Sequence, residues 1–127
     1  MEKLFRRFVV AATLTVAANA ILAQGTTAVY IVTHYDVVPA GQIVPVGASA
    51  ATLLSNYTAA ALLESGATSV RMLTDKGRAS RFTVVEVWTS PSTYMAHATA
   101  ASTTQLREAI APWLVAPADV RAHVDFR

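Results

Sequence analysis

The stretch at 82–97, FTVVEVWTSPSTYMAH, predicts a β-strand that passes directly into a helix. Its first half is rich in valine and aromatic residues, which favour strands. Ser90 and Pro91 then match an N-cap followed by proline at the first helical position. A strand, a tight corner and a helix that begins there fix the local path of the chain. Glu86 and His97 are thereby carried on two adjoining elements.

The rest of the chain continues this alternation of strands and helices. Strands are predicted where β-branched and aromatic residues cluster, and helices where apolar residues recur every three or four positions. The predicted strands are 28–38, 68–74, 81–88 and 120–126, and the predicted helices are 48–65, 91–101 and 103–114. Gly66 is placed to end the first helix, and Pro112 to bend or break the last. The order β-α-β-β-α-β predicts an α+β fold, ferredoxin-like, with helices on one face of an antiparallel sheet.

Both faces of the third strand are largely apolar. One face carries Arg81, Thr83, Val85 and Val87, and the other carries Phe82, Val84, Glu86 and Trp88. A sheet face left in water should be polar at every second position. We therefore expect a two-fold homodimer in which the sheets of two copies pack together.

The start of the chain has the three parts of a secretory signal peptide. A positive beginning, an apolar run at 8–18 and small residues before Ala23 match this pattern. The apolar run is short for a membrane span, which needs about 20 residues. We therefore predict a signal peptide at 1–23, an exported protein, periplasmic or secreted, and one mature domain at 24–127. Cleavage after Ala20 and an uncleaved anchor rank behind this interpretation.

Composition excludes several kinds of protein. The chain has ten Lys and Arg against eight Asp and Glu, but the leader holds Lys3, Arg6 and Arg7 against Glu2. The mature domain is thus balanced, with seven of each, and lacks the basic surplus expected of a nucleic acid binder. It contains no cysteine, so it is neither a thiol enzyme nor a cysteine-ligated zinc protein. We expect no nucleic acid partner, and no stable membrane span after cleavage.

Glu86-Val87-Trp88 followed by Tyr94 and His97 resembles the strand-to-helix signature of the antibiotic biosynthesis monooxygenase family. The resemblance extends over 28–126, and Glu64-Ser65-Gly66 is a weaker match within it. It implies a dimeric α+β barrel with a pocket between the helices and the sheet of each subunit. It also implies an oxygenase of phenols or quinols that works without metal or flavin, with molecular oxygen as co-substrate and no cofactor. Other members of the family degrade haem, and several have no established reaction.

Histidine is the natural base for such chemistry because it titrates near neutrality. His97 shares a helix face with Tyr94, and the resemblance places it at the pocket as the catalytic base. The alternative for His97 is a structural histidine bonded to a carbonyl or to solvent. His34, on the first strand, resembles the position at which haem-degrading members carry asparagine, and a catalytic and a structural role are both open for it. His123 is predicted to lie on the surface of the last strand.

The side chains predicted to contact substrate are Tyr57, Tyr94, Trp88 and Arg107. Trp88 has a competing interpretation as a core residue, because large aromatics dominate small cores. Glu86 lies in an otherwise apolar strand, and if buried it requires a partner such as Arg71, Arg81 or Arg107. A buried ion pair and a catalytic carboxylate are both open for Glu86.

Haem degradation is disfavoured, because the asparagine, tryptophan and histidine of that branch correspond here to His34, His97 and Arg107. A metal site built from His34, Asp36 and His97 is not expected, since the dispersed histidines lack tight ligand spacing. The sequence therefore predicts an exported monooxygenase that acts on a small aromatic phenol or quinol. The alternatives are a non-catalytic small-molecule-binding or stress-related module with the same pocket and, ranked last, a haem-binding protein.

Overall fold

The computed structural model describes residues 27–39, 41–42 and 47–127. The signal peptide predicted at 1–23, with its cleavage site, lies outside these residues. Across the described part of the chain, no helix is long and apolar enough to cross a membrane.

Within the described residues, antiparallel strands form one sheet with helices packed on one face. The strands are β1 (Val29–Asp36), β2 (Ala67–Asp75), β3 (Arg78–Trp88) and β4 (Asp119–His123), and they lie in the order β2-β3-β1-β4. The helices are α1 (Ala50–Ala61), α2 (Pro91–Ala98) and α3 (Ala101–Ile110), and a 3₁₀ turn follows at Ala111–Trp113. The predicted α+β class and ferredoxin-like strand order are confirmed.

Period-two alternation decides which strand residues face the helices. In the central pair β1–β3, Ile31 lies opposite Glu86, and both are buried on the helix-covered inner face. One residue further along, Val32 lies opposite Val85, and both are only partly buried. We call the other side of the sheet the outer face. Its residues from β1 and β3 are Tyr30, Val32, His34, Asp36, Arg81, Thr83, Val85 and Val87.

The core lies between the inner face and the helices. Its main part, beneath α1 and α3, contains the fully buried Leu54 and Val84 together with Ile110. A smaller cluster beside α2 consists of Val29, Ile31 and Trp88, with Tyr94 packed against it. The predicted Trp113 is also buried in the main core.

Local sequence signals set the ends of the helices near the site. The hydroxyl of Ser90 accepts the backbone N–H of Thr93 at 3.2 Å, and the hydroxyl of Thr93 accepts the N–H of Ser90 at 3.2 Å. This capping box, with Pro91 at the start of α2, confirms the predicted helix start. At the junction to α3, the Thr103 hydroxyl donates to the carbonyl of His97 at 2.7 Å. This hydrogen bond therefore links the end of α2 to the start of α3 at His97.

α1 ends at Ala61 rather than at the predicted residue 65. The N–H of Leu63 bonds to the Ala60 carbonyl at 3.1 Å, and the N–H of Glu64 bonds to the Ala61 carbonyl at 3.0 Å. Such i→i+3 bonds tighten a helix end into a narrower turn. Gly66 then has a φ of 86°, which glycine adopts without steric penalty. Glu64 consequently lies at the corner between α1 and β2.

Candidate active site

A cavity of about 390 Å³ lies between the inner face of the sheet and the helices. Its apolar wall is formed mainly by Ile31, Leu106, Ile110 and Leu114. The larger polar side chains in its wall are Tyr35, Tyr57, Glu86, Tyr94, His97 and Arg107. A concave, largely apolar site with a few convergent polar groups suits a small aromatic molecule.

His97 is a buried histidine held at both ring nitrogens. Its side chain is only 1% exposed. Nδ1 lies 2.8 Å from Oε2 of Glu64, and Nε2 lies 2.5 Å from the hydroxyl of Tyr57. His97, the predicted catalytic base, lies in the wall of the cavity, and its bonds go to side chains rather than to a carbonyl or to solvent.

Glu86 is buried on the inner face of β3, and its side chain is 4% exposed. The Tyr57 hydroxyl donates to its Oε1 at 2.7 Å, and the indole N–H of Trp88 makes a long contact of 3.5 Å to its Oε2. Nε2 of His97 lies 3.5 Å from Oε1. Tyr57 therefore bridges Glu86 and His97.

The arginine partner predicted for Glu86 is wrong. Arg81 instead forms a bidentate ion pair with Asp36 on the outer face, with Nε 2.9 Å from Oδ1 and Nη2 3.1 Å from Oδ2. Arg71 is exposed and lies opposite Val85, also on the outer face. Glu86 instead meets polar groups of α1 and α2, because inner-face residues face the helices. Tyr57 and His97 are the helix residues that contact its carboxylate.

The hydrogen bonds around His97 determine its protonation when both carboxylates are ionised. An ionised carboxylate accepts only, so Nδ1 donates to Glu64. The one hydroxyl proton of Tyr57 goes to Glu86, so Nε2 must donate to the Tyr57 oxygen. Both ring nitrogens then carry protons, and His97 is an imidazolium.

The electrostatics agree with this assignment. Burial lowers the pKa of His97, but the hydrogen bonds and negative charges of Glu86 and Glu64 outweigh burial and leave the pKa above its ordinary value. Burial and the neighbouring Glu86 raise the pKa of Tyr57 far above the usual range. The same two causes raise the pKa of Tyr35 to about 12. The tyrosines lining the cavity are therefore hydrogen-bond donors at neutral pH.

Tyr94 and Arg107, two of the residues predicted to contact substrate, both line the cavity. Burial and then Glu86 raise the pKa of the Tyr94 hydroxyl, while the charge of Arg107 opposes that rise. Arg107 acts in the same direction on Tyr35. The positive charge of Arg107 therefore acts on the hydroxyl groups of both Tyr35 and Tyr94 in the cavity wall.

Trp88 lies behind His97 rather than in the cavity wall. Its side chain is fully buried, and its ring stacks on the imidazole with centroids 4.4 Å apart and planes at 26°. This is the competing core position, in which the indole contacts His97 and does not line the cavity.

His34 is not brought together with His97. It is exposed on the outer face, where Nδ1 lies 2.9 Å from the Thr83 hydroxyl. His34 and Asp36 share that face, so the combination with His97 as metal ligands would require atoms on opposite sides of the sheet. Within 27–39, 41–42 and 47–127, no group of three potential metal-binding side chains is present. His123 is exposed on β4.

Solved structures place this architecture among known folds. A candidate antibiotic biosynthesis monooxygenase from Nitrosomonas europaea is 16% identical over 80% of this chain and 92% of its own, with a TM-score of 0.69. One from Deinococcus radiodurans is 18% identical over 79% of this chain and 93% of its own, with a TM-score of 0.64. One from Caulobacter crescentus is 14% identical over 86% of this chain and 99% of its own, with a TM-score of 0.68.

The chain has the antibiotic biosynthesis monooxygenase fold. The predicted resemblance is confirmed at that level by these structures. No family model matches the sequence, and no protein of curated function is similar to it in sequence.

Two site residues in this antibiotic biosynthesis monooxygenase fold were not predicted. Glu64 contacts His97 although 33 positions separate them, and its only signal was its place beside Gly66 in the weaker match. Tyr35 lies in the cavity wall. Its signal was the period of two from Ile31, which placed both side chains on the inner face.

Proposed function

We propose that this protein is a monooxygenase that acts on a small phenol or quinol, with molecular oxygen as co-substrate and no metal or flavin. The observation that supports this proposal is His97, held between Glu64 and the Tyr57–Glu86 pair at the wall of an aromatic-sized cavity. A buried histidine that faces a cavity and is hydrogen-bonded to ionisable groups at both ring nitrogens is suited to proton transfer.

The proposed reaction begins with loss of the substrate's phenolic proton. A hydroxyl group placed against Tyr57 and Glu86 gives its proton to that pair, and neutral His97 takes it up at Nε2. The phenolate is electron-rich enough to pass an electron to oxygen. For a hydroquinone, one oxygen atom enters a ring carbon and the other leaves as water. The product is a hydroxyquinone, which leaves as its anion because a hydroxyquinone is a vinylogous carboxylic acid. One proton is therefore released per turnover, and all the electrons come from the substrate.

Oxygen uptake by the purified mature protein tests this proposal. The substrates are hydroquinones and polycyclic phenols, with metal and flavin removed, and product is analysed after turnover in ¹⁸O₂. We expect one labelled oxygen atom per product molecule, and uptake that falls to the spontaneous rate in His97→Ala. The matched control is His123→Ala, which changes an exposed histidine of β4 and should retain activity.

Because His97 is buried, His97→Ala is paired with Tyr57→Phe, which removes only the bridging hydroxyl. General acid–base groups contribute about 10²–10⁴-fold, so Tyr57→Phe should lower kcat markedly while the protein stays folded. Uptake that is equal in wild type and in both variants would contradict the role of this network.

A second candidate function is binding of a small apolar molecule without turnover. It is favoured by one observation: both nitrogens of His97 are engaged by Glu64 and Tyr57, so no ring nitrogen is directed at a ligand in this state. Calorimetric binding of the same phenols without oxygen uptake would select this candidate. Because both nitrogens of His97 are already hydrogen-bonded, haem ligation by His97 is the least favoured of the three candidate functions. A Soret band on haem addition would reverse that order.

We also propose that the protein is exported and works as a homodimer. The composition of 1–23 supports export, and the partly apolar outer face supports pairing of two sheets. Mass spectrometry of protein recovered from the periplasm or medium should give a chain that begins at Gln24. A chain that still begins at Met1 would contradict cleavage.

A further inference from the structure

Two spaces in the molecule adjoin the hydrogen-bonding partners of His97. On the Nε2 side lies the cavity with Tyr57 and Glu86 in its wall. On the Nδ1 side, a cleft of about 260 Å³ lies between α1 and α3, and Glu64 is part of its wall. His97 is part of the cavity wall and not of the cleft wall, whereas Glu64 is part of the cleft wall and not of the cavity wall. Tyr57 and Leu106 lie in both walls.

The groups between the two spaces form a continuous series of hydrogen bonds. Glu86 Oε1 lies 2.7 Å from the Tyr57 hydroxyl, which lies 2.5 Å from Nε2 of His97. Nδ1 lies 2.8 Å from Glu64. The ends differ in solvent contact, because the Glu64 side chain is 29% exposed and that of Glu86 only 4%.

We propose that Glu64 is the proton outlet of the site: the proton that His97 collects from the cavity leaves through Nδ1 to Glu64 and reaches solvent in the α1–α3 cleft. This rests on the proposed function. It assigns Glu64 a role as a positioning residue that acts through His97 and does not touch the substrate.

The proton balance closes over one cycle. The cycle starts with neutral His97, protonated at Nδ1 toward Glu64. A substrate proton enters at Glu86 or Tyr57 and reaches Nε2, which gives the imidazolium whose hydrogen bonds the structure contains. The Nδ1 proton then passes to the Glu64 carboxylate and from there to water. One proton has moved from cavity to cleft, Glu86, Tyr57 and Glu64 are restored, and His97 is neutral again with its proton on Nε2. A half-turn of the imidazole about its Cβ–Cγ bond brings the protonated nitrogen back to the Glu64 side and completes the cycle.

The surroundings of His97 favour this direction. The titratable and charged side chains that line the cavity or bond to His97 are Tyr57 on α1, Glu64 after α1, Glu86 on β3, Tyr35 on β1, Tyr94 on α2 and Arg107 on α3. Of these, Glu64 alone combines a carboxylate in contact with Nδ1 and exposure to the cleft. A separate exit lets a bound substrate fill the cavity while its proton still leaves.

The test without substrate measures exchange of the His97 Nδ1 proton with water by NMR, in protein labelled with ¹⁵N-histidine. In Glu64→Gln, which retains a hydrogen-bonding side chain, we expect exchange about tenfold slower or more, because the base that accepts the proton is gone. Glu108→Gln, an exposed change on α3, is the matched control. Equal exchange rates in wild type and Glu64→Gln would overturn the outlet.

The test with substrate separates proton exit from folding and binding. Glu64→Ala should lower kcat about 10²-fold with little change in KM, and added acetate should restore kcat by supplying a carboxylate in the cleft. Glu108→Ala should neither lose activity nor respond to acetate. A loss in Glu64→Ala that acetate does not restore would overturn the proposal.

The two tests distinguish failure of the outlet from failure of the proposed function. Slower exchange in Glu64→Gln, in a wild type that consumes no oxygen, would contradict the monooxygenase and leave the proton path in place. Unchanged exchange, in a wild type that does consume oxygen, would contradict the path alone.

Discussion

A buried histidine ordinarily loses its charge, because burial disfavours the ionised form. His97 instead keeps its charge, because one carboxylate lies on each side of it. Glu64 contacts Nδ1 directly, and Tyr57 connects Glu86 to Nε2. Removal of one partner from such a group leaves an uncompensated buried charge, which is strongly destabilising. The three charges therefore depend on one another for their stability.

The raised pKa of His97 predicts how stability depends on pH. Since the pKa is higher in the folded protein than in the unfolded chain, the stabilisation is complete below about pH 6.5, the unfolded value. It is lost as the pH rises through the folded pKa. Urea unfolding at a series of pH values from roughly 6 to 9 should show the free energy of unfolding of wild type falling through this range.

Glu64→Gln provides the comparison for that measurement. Without the Glu64 charge the pKa of His97 is raised less, so the fall in stability should be smaller and should occur at lower pH. Equal pH dependence in the two proteins would show that Glu64 does not help to hold the proton on His97.

Residues of the site whose positions depend on local spacing could be predicted from the sequence. Tyr94 and His97 share a helix face, and the motif that carries them marked the pocket. The partners of Glu86 could not be predicted from the sequence, because the choice between Arg107 and Tyr57 depends on how two helices pack on the sheet. Glu64 was missed for the same reason, since its contact with His97 exists only after α2 folds against the end of α1.

At the scale of elements, the corner after α1 and the first turn of α2 approach each other closely. A Cβ atom on Gly66 would lie 2.5 Å from both Cβ and Cγ2 of Thr93. The backbone of Gly66 also has positive φ, and its carbonyl accepts the N–H of Thr89 at 2.9 Å. This contact holds Glu64 within reach of His97.

Gly66→Ala should therefore destabilise the protein by about 2–4 kcal/mol, from left-handed backbone strain together with overlap with Thr93. The matched control is Gly77→Ala, because a Cβ there would meet only Asp75 Oδ1 at 3.7 Å and φ is not positive. Thermal and urea unfolding of both variants check this. A loss of stability as large in Gly77→Ala as in Gly66→Ala would contradict the steric explanation.

The order of elements could be predicted, whereas some of their ends could not. The break at Pro112 is present, since α3 ends at Ile110 and the 3₁₀ turn contains the proline. β3 begins at Arg78 rather than at the predicted residue 81. The turn before it is tight, with the N–H of Gly77 bonded to Asp75 Oδ1 at 2.9 Å. Arg78 pairs with Asp75 directly after the turn, and after a register shift the pairing with β2 continues at Phe82 opposite Thr74. The extra length comes from that cross-strand pairing, which a pattern along one strand does not contain.

At the scale of the whole molecule, a substitution on the outer face tests the proposed homodimer. Val32 and Val85 lie opposite each other at its centre, on the two middle strands. Val85→Asp should convert a dimer to a monomer, because a carboxylate there would be buried without a partner between two sheets. Analytical ultracentrifugation measures the change. Thr104→Asp, at an exposed position of α3, should leave the dimer intact, and a monomeric wild type would contradict the proposal.

The stacking of Trp88 on His97 has an optical consequence. An excited indole passes an electron readily to an imidazolium in contact with it, and much less readily to a neutral imidazole. Trp88 is fully buried against the ring at a centroid separation of 4.4 Å, while Trp113 lies apart in the main core. The fluorescence of Trp88 should therefore be quenched while His97 carries its charge and recover when the proton leaves. The intrinsic fluorescence of Trp88 therefore reports the protonation state of His97 without a label or a substrate.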